Sequence, residues 1–161
     1  MPTECSAKPM GFARVDGRTV VADFDGGAIT SNAGGLLLGA TDRAIGLVER
    51  FAACFTDGRS AERVVHDIAT LVGQRVFGMA LGYEDLNDHD RLRADPLLAS
   101  LCGKADPLGQ DRTRAQDRGK ALAGKSTLNR LELTPADASA AARYKKIVAD
   151  PQALEDYFIN E

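Results

Sequence analysis

The sequence predicts a mainly α-helical domain with an N-terminal β-hairpin, which is an α+β fold. Three patterns support this prediction: an Asp16-Gly17 turn between two strand-like runs, helical spacing of apolar residues over residues 61–83, and an Asp95-Pro96 helix start. The chain has 161 residues, of which 44% are hydrophobic and 27% are charged, so it can bury a core without disulfides or metals. We therefore expect one domain, or one domain with a small appendage.

The hairpin is predicted from the turn chemistry and from the runs on either side of it. Asp16-Gly17 suits a type I′ turn, in which both central residues need a positive φ. The flanking runs, residues 12–15 and 18–24, are rich in strand-forming residues. A hairpin edge must be covered, either by the helices of this chain or by a sheet that the chain lacks.

Helices are predicted to follow the hairpin. Ser31 is expected to cap a helix that starts near Asn32 and is broken by Gly46, and a second helix is expected over residues 47–55. The longest predicted helix spans residues 61–83, about 35 Å, after a turn at residues 56–60. Its glycines, Gly73, Gly78 and Gly82, predict that a second helix passes close over it.

The later half of the chain is predicted to hold shorter elements. Asp95 and Pro96 start a helix, and residues 103–119 form a long loop. Residues 116–123 and 126–133 predict two short helices around Gly124-Lys125, in the manner of a helix-turn-helix. The remaining predictions are a helix from Thr134-Pro135 through Lys146, and a final turn over residues 151–158.

Charge and pattern predict three segments. Residues 1–28 are the hairpin segment, residues 29–103 the helical core, and residues 104–161 a basic helical region. Residues 104–146 contain ten Lys and Arg against five Asp and Glu, whereas the whole chain has a net charge of −3. A basic block on an acidic body is expected when one surface meets phosphate; a solvated loop of mixed charge is the alternative.

Composition excludes several classes of protein. Cys5, Cys54 and Cys102 are far apart and form no zinc-ligand spacing, so neither a metal site nor a disulfide framework is indicated. Cys54 and Cys102 are expected to be buried, and His66 to be a surface or packing residue of the long helix. No apolar run approaches a membrane span and no secretory signal is present, which predicts a cytoplasmic protein without a membrane partner.

Four ordered segments carry a resemblance to a known family. The densest reads Gly-Tyr-Glu-Asp-Leu-Asn-Asp over residues 82–88 and is followed by Leu-Arg-Ala-Asp-Pro over residues 92–96. The others are residues 29–35, 75–78 and 126–132, so the resemblance covers residues 20–135. Together they resemble the N-terminal part of insertion-sequence transposases of the DDE type, group 1.

The resemblance implies a bacterial mobile element and a role in DNA transposition and recombination. In the family, a separate RNase H-like domain cuts and joins DNA with a divalent metal such as Mg²⁺. The chain lacks a match to the first catalytic aspartate of that domain, so we expect the RNase H-like domain to be absent and the chain to be inactive alone. No catalytic residue, metal ligand or cofactor is predicted here, and the resemblance places Asp23 and Asp25 upstream of the catalytic domain.

The acids at residues 84–90 invite a metal interpretation. A calcium loop counted from Asp85 fails, because position six is Asp90 rather than Gly and position twelve is Pro96 rather than Glu. A magnesium site with two carboxylates is the alternative. We favour a structural interpretation, in which Asp85, Asn87 and Asp88 cap a helix N-terminus.

The basic region holds the predicted DNA-binding residues. Its cations can neutralise phosphates, the hydroxyls can bind phosphate oxygens, and Asn and Arg are the side chains that read adenine and guanine edges. The alternative is a helical hairpin with solvated charges. The resemblance favours contact with double-stranded DNA, specifically with the terminal inverted repeats of the mobile element. The predicted residues are Arg112, Arg114, Arg118, Lys120, Lys125, Ser126, Thr127, Asn129 and Arg130.

Two other functions are open from the sequence. The chain can be an interaction module that docks on full-length transposase, inhibits it or self-associates, since its hairpin edge needs a cover. It can also be a metal nuclease that uses Asp23, Asp25 and the acids of residues 84–90. DNA binding without catalysis ranks first and the nuclease last.

Overall fold

The computed structural model describes residues 10–22, 30–135, 137–139 and 141–159, and it confirms the mainly helical α+β fold. Its helices are α1 (Gly35–Ile45), α2 (Leu47–Ala52), α3 (Ile68–Ala80), α4 (His89–Leu92), α5 (Pro96–Leu101), α6 (Lys125–Glu132) and α7 (Pro151–Ile159). The strands are β1 (Met10–Gly11), β2 (Val21–Ala22), β3 (Phe55–Asp57) and β4 (Ile147–Ala149). They form two antiparallel pairs, β1 with β2 and β3 with β4.

The predicted hairpin is present, with the predicted turn at its tip. Asp16 and Gly17 have φ values of 50° and 76°, the positive values that a type I′ turn requires. Val15 and Arg18 exchange backbone hydrogen bonds of 3.1 and 2.9 Å across the turn. The guanidinium of Arg18 donates to the carbonyl of Lys104 at 2.6 Å and ties the tip to the later loop. The predicted end of the second strand, residues 23–24, lies outside the described residues.

The first two helices meet at Gly46, as predicted. Gly46 has a φ of 66° and donates its N–H to the carbonyl of Asp42 at 2.6 Å, which ends α1. The carboxylate of Asp42 then accepts the N–H of Val48 at 2.8 Å and starts α2. The predicted Ser31 cap is wrong: α1 begins at Gly35, because Asn32 is held in a turn by the Thr30 hydroxyl at 3.0 Å.

The long helix is shorter than the sequence predicts. Asp67 accepts the N–H of Thr70 at 2.7 Å and caps α3, so the helix starts at Ile68 rather than at residue 61. Residues 61–63 form a single 3₁₀ turn, and the chain then bends at residues 65–66 before it reaches Asp67. With 13 residues, α3 is about 20 Å long. It remains central to the fold, since eight of its residues are buried.

The glycines of α3 mark close packing, as predicted for two of the three. A Cβ on Gly73 would lie 3.3 Å from a methyl of Val48, and one on Gly78 would lie 2.9 Å from the His89 ring. Gly82 lies beyond the helix with a φ of 94° and has open space around it. Its role is therefore the turn that follows the helix, not a close contact.

Two predicted helices of the basic region do not form. Residues 121–123 are buried and extended, because Leu122 N–H donates to the Arg93 carbonyl at 3.1 Å and Ala123 binds a side chain of α3. The described residues of 134–146 are not helical; they lead into β4, which pairs with β3 in the register Phe55↔Ala149. Residues 151–159 form a helix rather than a turn. At residues 121–123 and 134–146, pairing across the fold thus overrides the local preference for helix.

One hydrophobic core unites the helical core and the basic region. Its members come from α2, α3, α4, α5, α6, the extended segment 121–123 and β4. The buried residues are Val48, Leu71, Val72, Phe77, Leu92, Leu98, Ala99, Ala121, Leu122, Ala123, Leu128, Leu131 and Ile147. In the part of the chain that the structure describes, every helix is too short or too polar to cross a bilayer.

Candidate nucleic-acid interface

A buried amide fixes the extended segment that leads into α6. Gln74 is fully buried, and its Oε1 accepts the N–H of Ala123 at 3.0 Å while its Nε2 donates to the Ala123 carbonyl at 2.7 Å. The pair of bonds imitates the pairing of a β-strand, and it settles which amide atom faces which neighbour. The segment before α6 is therefore held by a side chain of α3 rather than by a helix of its own.

A buried guanidinium connects three segments. Arg75 on α3 is 7% exposed and donates to the carbonyls of Tyr83 at 3.4 Å and Glu84 at 3.1 Å. Its Nε forms a short hydrogen bond and ion pair with the carboxylate of Glu132 on α6. Charge-assisted bonds of this kind are stronger than neutral ones. Arg75 thus joins α3 to the turn after it and to the last turn of α6.

The imidazole of His89 lies between these two groups. Nε2 of Gln74 is 3.0 Å from Nδ1 of His89, and Nη1 of Arg75 is 3.0 Å from Nε2 of His89. Both facing nitrogens are donors, and a neutral imidazole has a single acceptor nitrogen, so the ring can accept a hydrogen bond from one of them. A second ring proton would remove that acceptor as well. Burial, and then the charge of Arg75, lower the pKa of His89 to about 4. His89 is therefore a neutral packing residue over Gly78.

The corner, which we define as residues 82–96, also holds the segment before α1. Asp95 caps α5 by accepting the N–H groups of Leu97 and Leu98, as predicted for Asp95-Pro96. Its other oxygen accepts the hydroxyl of Thr30 at 2.9 Å and the amide of Asn32 at 2.8 Å. The Tyr83 hydroxyl donates to the Asn32 carbonyl oxygen at 3.0 Å. Segments 30–35, 75–78, 82–96 and 126–132 thus meet in one place.

The acids at the outer end of the corner bind protein groups. Asp85 accepts the N–H of Asn87 at 2.8 Å, which confirms its predicted capping role and lowers the pKa of its carboxyl. Asn87 and Asp90 both face α6: Lys125 Nζ lies 2.9 Å from Asn87 Oδ1 and 3.6 Å from Asp90 Oδ2, and Lys125 N–H donates to Asp90 at 3.1 Å. A carboxylate therefore already occupies the N-terminus of α6.

The described residues gather no metal-ligand set. Among them, no three His, Cys, Asp or Glu side chains converge closely enough to hold an ion. Asp23 and Asp25, the acids of the nuclease alternative, lie outside the described residues.

The structure divides the predicted DNA-binding residues into groups. Arg112 and Arg114 line a cleft of about 1140 Å³ together with Lys104. Thr127 and Arg130 line a separate pocket of about 110 Å³. The other predicted residues adopt varied positions: Arg118 and Lys120 lie on the loop before α6, Lys125 pairs with the corner, and Ser126 and Asn129 are exposed on α6.

The smaller pocket, which we call the basic pocket, gathers cations from three segments. It is lined by Arg59, Thr127, Arg130, Tyr144, Lys146 and Ile147, with no acidic residue among them. Arg59 is paired with Asp57 at 2.6 Å, whereas Arg130 and Lys146 have no acidic partner within the described residues. Tyr144 is 73% exposed, and the guanidinium of Arg143 lies 5.2 Å from its ring centroid. Free cations beside an exposed aromatic ring are the chemistry of a nucleic-acid surface.

Sequence reasoning missed four of the six residues that line the basic pocket, namely Arg59, Tyr144, Lys146 and Ile147. The sequence predicts a turn at Arg59 and a helix over the run Arg143-Tyr144-Lys145-Lys146, and neither pattern indicates a site. The pairing of β3 with β4 brings them together: Gly58 N–H donates to the Lys146 carbonyl at 2.8 Å. The ammonium of Lys145 binds the Leu133 carbonyl and anchors this run to the end of α6. A basic run that contains an aromatic residue was the available signal.

The predicted helix-turn-helix is wrong. Its second helix exists as α6, but residues 116–123 contain only the end of a 3₁₀ turn, Ala115–Asp117, followed by the extended segment. Base-reading by a pair of helices therefore has no basis here. Any contact of this region with DNA must use α6 and the loops beside it.

Among the described residues, His66 is the one buried side chain with a polar atom that lacks a hydrogen-bond partner. It is 6% exposed, and its Nδ1 has no hydrogen-bond partner among the described residues. Burial first, and then the charges of Lys104 and Arg112, lower its pKa to about 3. The residue precedes α3 instead of lying on a helix, which corrects the predicted place. Cys54 is buried, as predicted, and burial raises the pKa of its thiol.

The comparisons with known proteins agree with the resemblance. The family described as Transposase DDE domain group 1 matches residues 12–161 of the chain. No curated protein matches the chain, and no solved structure does. The family match includes the hairpin tip, the corner, α6 and the basic pocket.

Proposed function

Because the chain belongs to the Transposase DDE domain group 1 family, we propose that it binds double-stranded DNA at the ends of a mobile element. Membership supports a role in DNA transposition, and transposition makes DNA the expected partner. The finer assignment, recognition of terminal inverted repeats through the basic pocket, rests on the chemistry of the side chains that line it.

The observation that carries the proposal is the set of side chains in the basic pocket. Arg130 and Lys146 can each neutralise a phosphate, and the Thr127 hydroxyl can donate to a phosphate oxygen. The exposed ring of Tyr144 offers a face for a sugar or an unstacked base. The surface thus provides charge, a hydrogen-bond donor and an apolar face within one pocket.

The exposed side of α6 extends this surface. Ser126, Asn129 and Arg130 are exposed, while Leu128 and Leu131 on the other side are buried in the core. Asn and Arg are the residues that pair with adenine and guanine edges in the major groove. Arg112, Arg114, Arg118 and Lys120 on the preceding loop are proposed to add phosphate contacts.

We assign no catalytic step to the described residues. The family uses a divalent metal, and two of the acids at residues 84–90 are engaged by the chain itself: Asp85 caps its own turn and Asp90 binds Lys125. No set of three metal-binding side chains forms in the described part of the chain. The described residues therefore do not fit a catalytic metal, and their proposed contribution is DNA binding.

The test is a titration of a duplex that carries the terminal repeat, followed by fluorescence anisotropy at several salt concentrations. The double variant Arg130→Ala/Lys146→Ala should reduce the slope of log K against log salt by about two units. Arg91→Ala is the matched control, because it removes one exposed cation from the corner and should leave the slope unchanged. Absence of binding at low salt, or an unchanged slope in the double variant, would overturn the proposal.

A second function is favoured by the hairpin. Within the described residues, β1 and β2 pair only with each other, and Phe12 and Val21 beside this edge are about half exposed. Such an edge suits addition to the sheet of another protein, such as an intact transposase. A chain that fails to bind DNA but co-purifies with the intact enzyme without DNA would support this function instead.

A further inference from the structure

We propose that Arg75 is a positioning residue for the basic pocket: acting through Glu132, it fixes the C-terminal half of α6 so that Arg130 lies beside Lys146 and Tyr144. This inference rests on the proposed function, because it concerns the residues that place the DNA-contacting side chains. It also assigns a role to the segment Arg75–Gly78, which lies far from the basic pocket in sequence.

The apolar contacts of α6 leave its orientation open. The helix has eight residues and buries two leucines, Leu128 and Leu131, on one side. Two anchors on a short helix hold it against the core, but hydrophobic contact is not directional. The direction of its polar side is set by the hydrogen bonds at its two ends.

Both ends of α6 are bound to the fold by polar groups. At the N-terminal end, Lys125 donates to Asp90 and Asn87 of the corner. At the C-terminal end, Glu132 binds the guanidinium of Arg75. Thr127 and Arg130, the two helix residues that line the basic pocket, lie between these attachments.

Arg75 can act as a fixed point because its own position is over-determined. Its Nε faces Glu132, its Nη1 donates to Tyr83, and its Nη2 donates to Glu84. The planar guanidinium distributes these donors in fixed directions, which a lysine ammonium cannot do. The bond from Glu132 to Arg75 therefore fixes the last turn of α6 relative to the corner.

Removal of Glu132 gives a test in which charge and position predict opposite results. Deleting an acid near a DNA surface should strengthen binding if charge alone matters. If Glu132 positions α6, Glu132→Ala should instead weaken binding of the terminal-repeat duplex by about tenfold, the size of one charge-assisted hydrogen bond. Glu132→Gln removes the same charge but keeps an oxygen for Arg75, so it should restore most of the affinity.

The matched control is Glu155→Ala, which removes an exposed acid from α7 and should leave DNA affinity equal or slightly higher. Equal or tighter binding by Glu132→Ala, measured without urea on chains whose circular dichroism matches that of the wild type, would overturn the proposal. So would a Glu132→Gln variant as weak as the alanine variant.

A measurement without DNA separates this inference from the proposed function. Amide hydrogen exchange at Arg130 and Leu131 should accelerate by about tenfold or more in Glu132→Ala and stay unchanged in Glu155→Ala. Unchanged exchange in Glu132→Ala would overturn the positioning role. If exchange accelerates in Glu132→Ala but the wild-type chain does not bind DNA, the positioning role stands and the proposed function fails.

Discussion

The corner and the basic pocket are both dense in polar side chains, but they differ in what those side chains bind. In the corner, Asp85, Asn87, Asp90 and Asp95 each bind backbone or side-chain groups of the chain itself. In the basic pocket, Arg130 and Lys146 have no acidic partner within the described residues. A dense polar motif is therefore evidence of structure when its groups satisfy one another, and of binding when they do not.

The segments that carry the family resemblance therefore divide into two groups with different roles. Segments 30–35, 75–78 and 82–96, together with Gln74 beside them on α3, form a polar junction, whereas segment 126–132 presents its exposed side to the basic pocket. Experiments that disturb the junction should alter stability first, and experiments on the pocket should alter DNA binding first.

The largest effect is expected from Gln74→Ala in the junction. The substitution leaves the buried N–H and carbonyl of Ala123 without partners, at about 1–3 kcal/mol each, and opens a cavity beside them. We expect the free energy of unfolding to fall by about 4 kcal/mol in urea denaturation. Gln116→Ala, at an exposed position, should change it by less than about 0.5 kcal/mol. Similar values for the two variants would show that the two hydrogen bonds between Gln74 and Ala123 add nothing to stability.

Local chemistry predicted part of the fold correctly. The Asp16-Gly17 turn, the break at Gly46, the Asp95-Pro96 start and the close contacts of Gly73 and Gly78 each depend on neighbours in sequence or on the size of one residue. The failures at residues 61–67, 116–123 and 134–146 have another cause. There the deciding partner is Asp67, Gln74 or β3, and helix propensity of a few tenths of a kcal/mol per residue is overridden by tertiary pairing.

The site shows the same limit. Thr127 and Arg130 were predicted from the basic region, and they line the basic pocket. Arg59 joins them only because β3 pairs with β4, which brings residues 58 and 146 within a 2.8 Å hydrogen bond. A partner at that separation in sequence leaves no local signal, so one sequence without its fold could not reveal the complete pocket.

The second prediction concerns how the free energy of unfolding depends on pH. It involves two buried histidines, His66 and His89. Burial and neighbouring cations lower the pKa of His66 to about 3 and that of His89 to about 4, against about 6.5 when unfolded. The stability they contribute is therefore fully present above pH 6.5 and is lost as pH falls toward 4, because the unfolded chain binds more protons there. We expect a loss of about 2–3 kcal/mol between pH 7 and pH 5.5.

Urea denaturation at the two pH values measures this loss, and proton NMR of the two imidazole rings identifies its source. Neither ring should titrate above about pH 5 in the folded chain. Four carboxyls have a pKa that hydrogen bonds lower: those of Asp57, Asp67, Asp85 and Asp106. They lose their contribution to stability only at lower pH, so they do not affect the change between pH 7 and pH 5.5. A ring with a midpoint near 6.5 would contradict the assignment. The basic pocket contains no histidine, which separates this effect from DNA binding.

The smallest effect is expected at Lys125, where the two regions meet. Lys125 belongs to the predicted DNA-binding set, but its ammonium already lies against Asn87 and Asp90 of the corner. Its side chain is 49% exposed, and exposed pairs of this kind contribute about 0–1 kcal/mol, so Lys125→Ala should lower stability by less than 1 kcal/mol. Because Asp90 already neutralises its charge, the salt slope of DNA binding should fall by well under one unit, against about one unit for Arg130→Ala. Equal slopes for the two variants would show that Lys125 contacts DNA as Arg130 does. The DNA-binding surface would then include part of the corner.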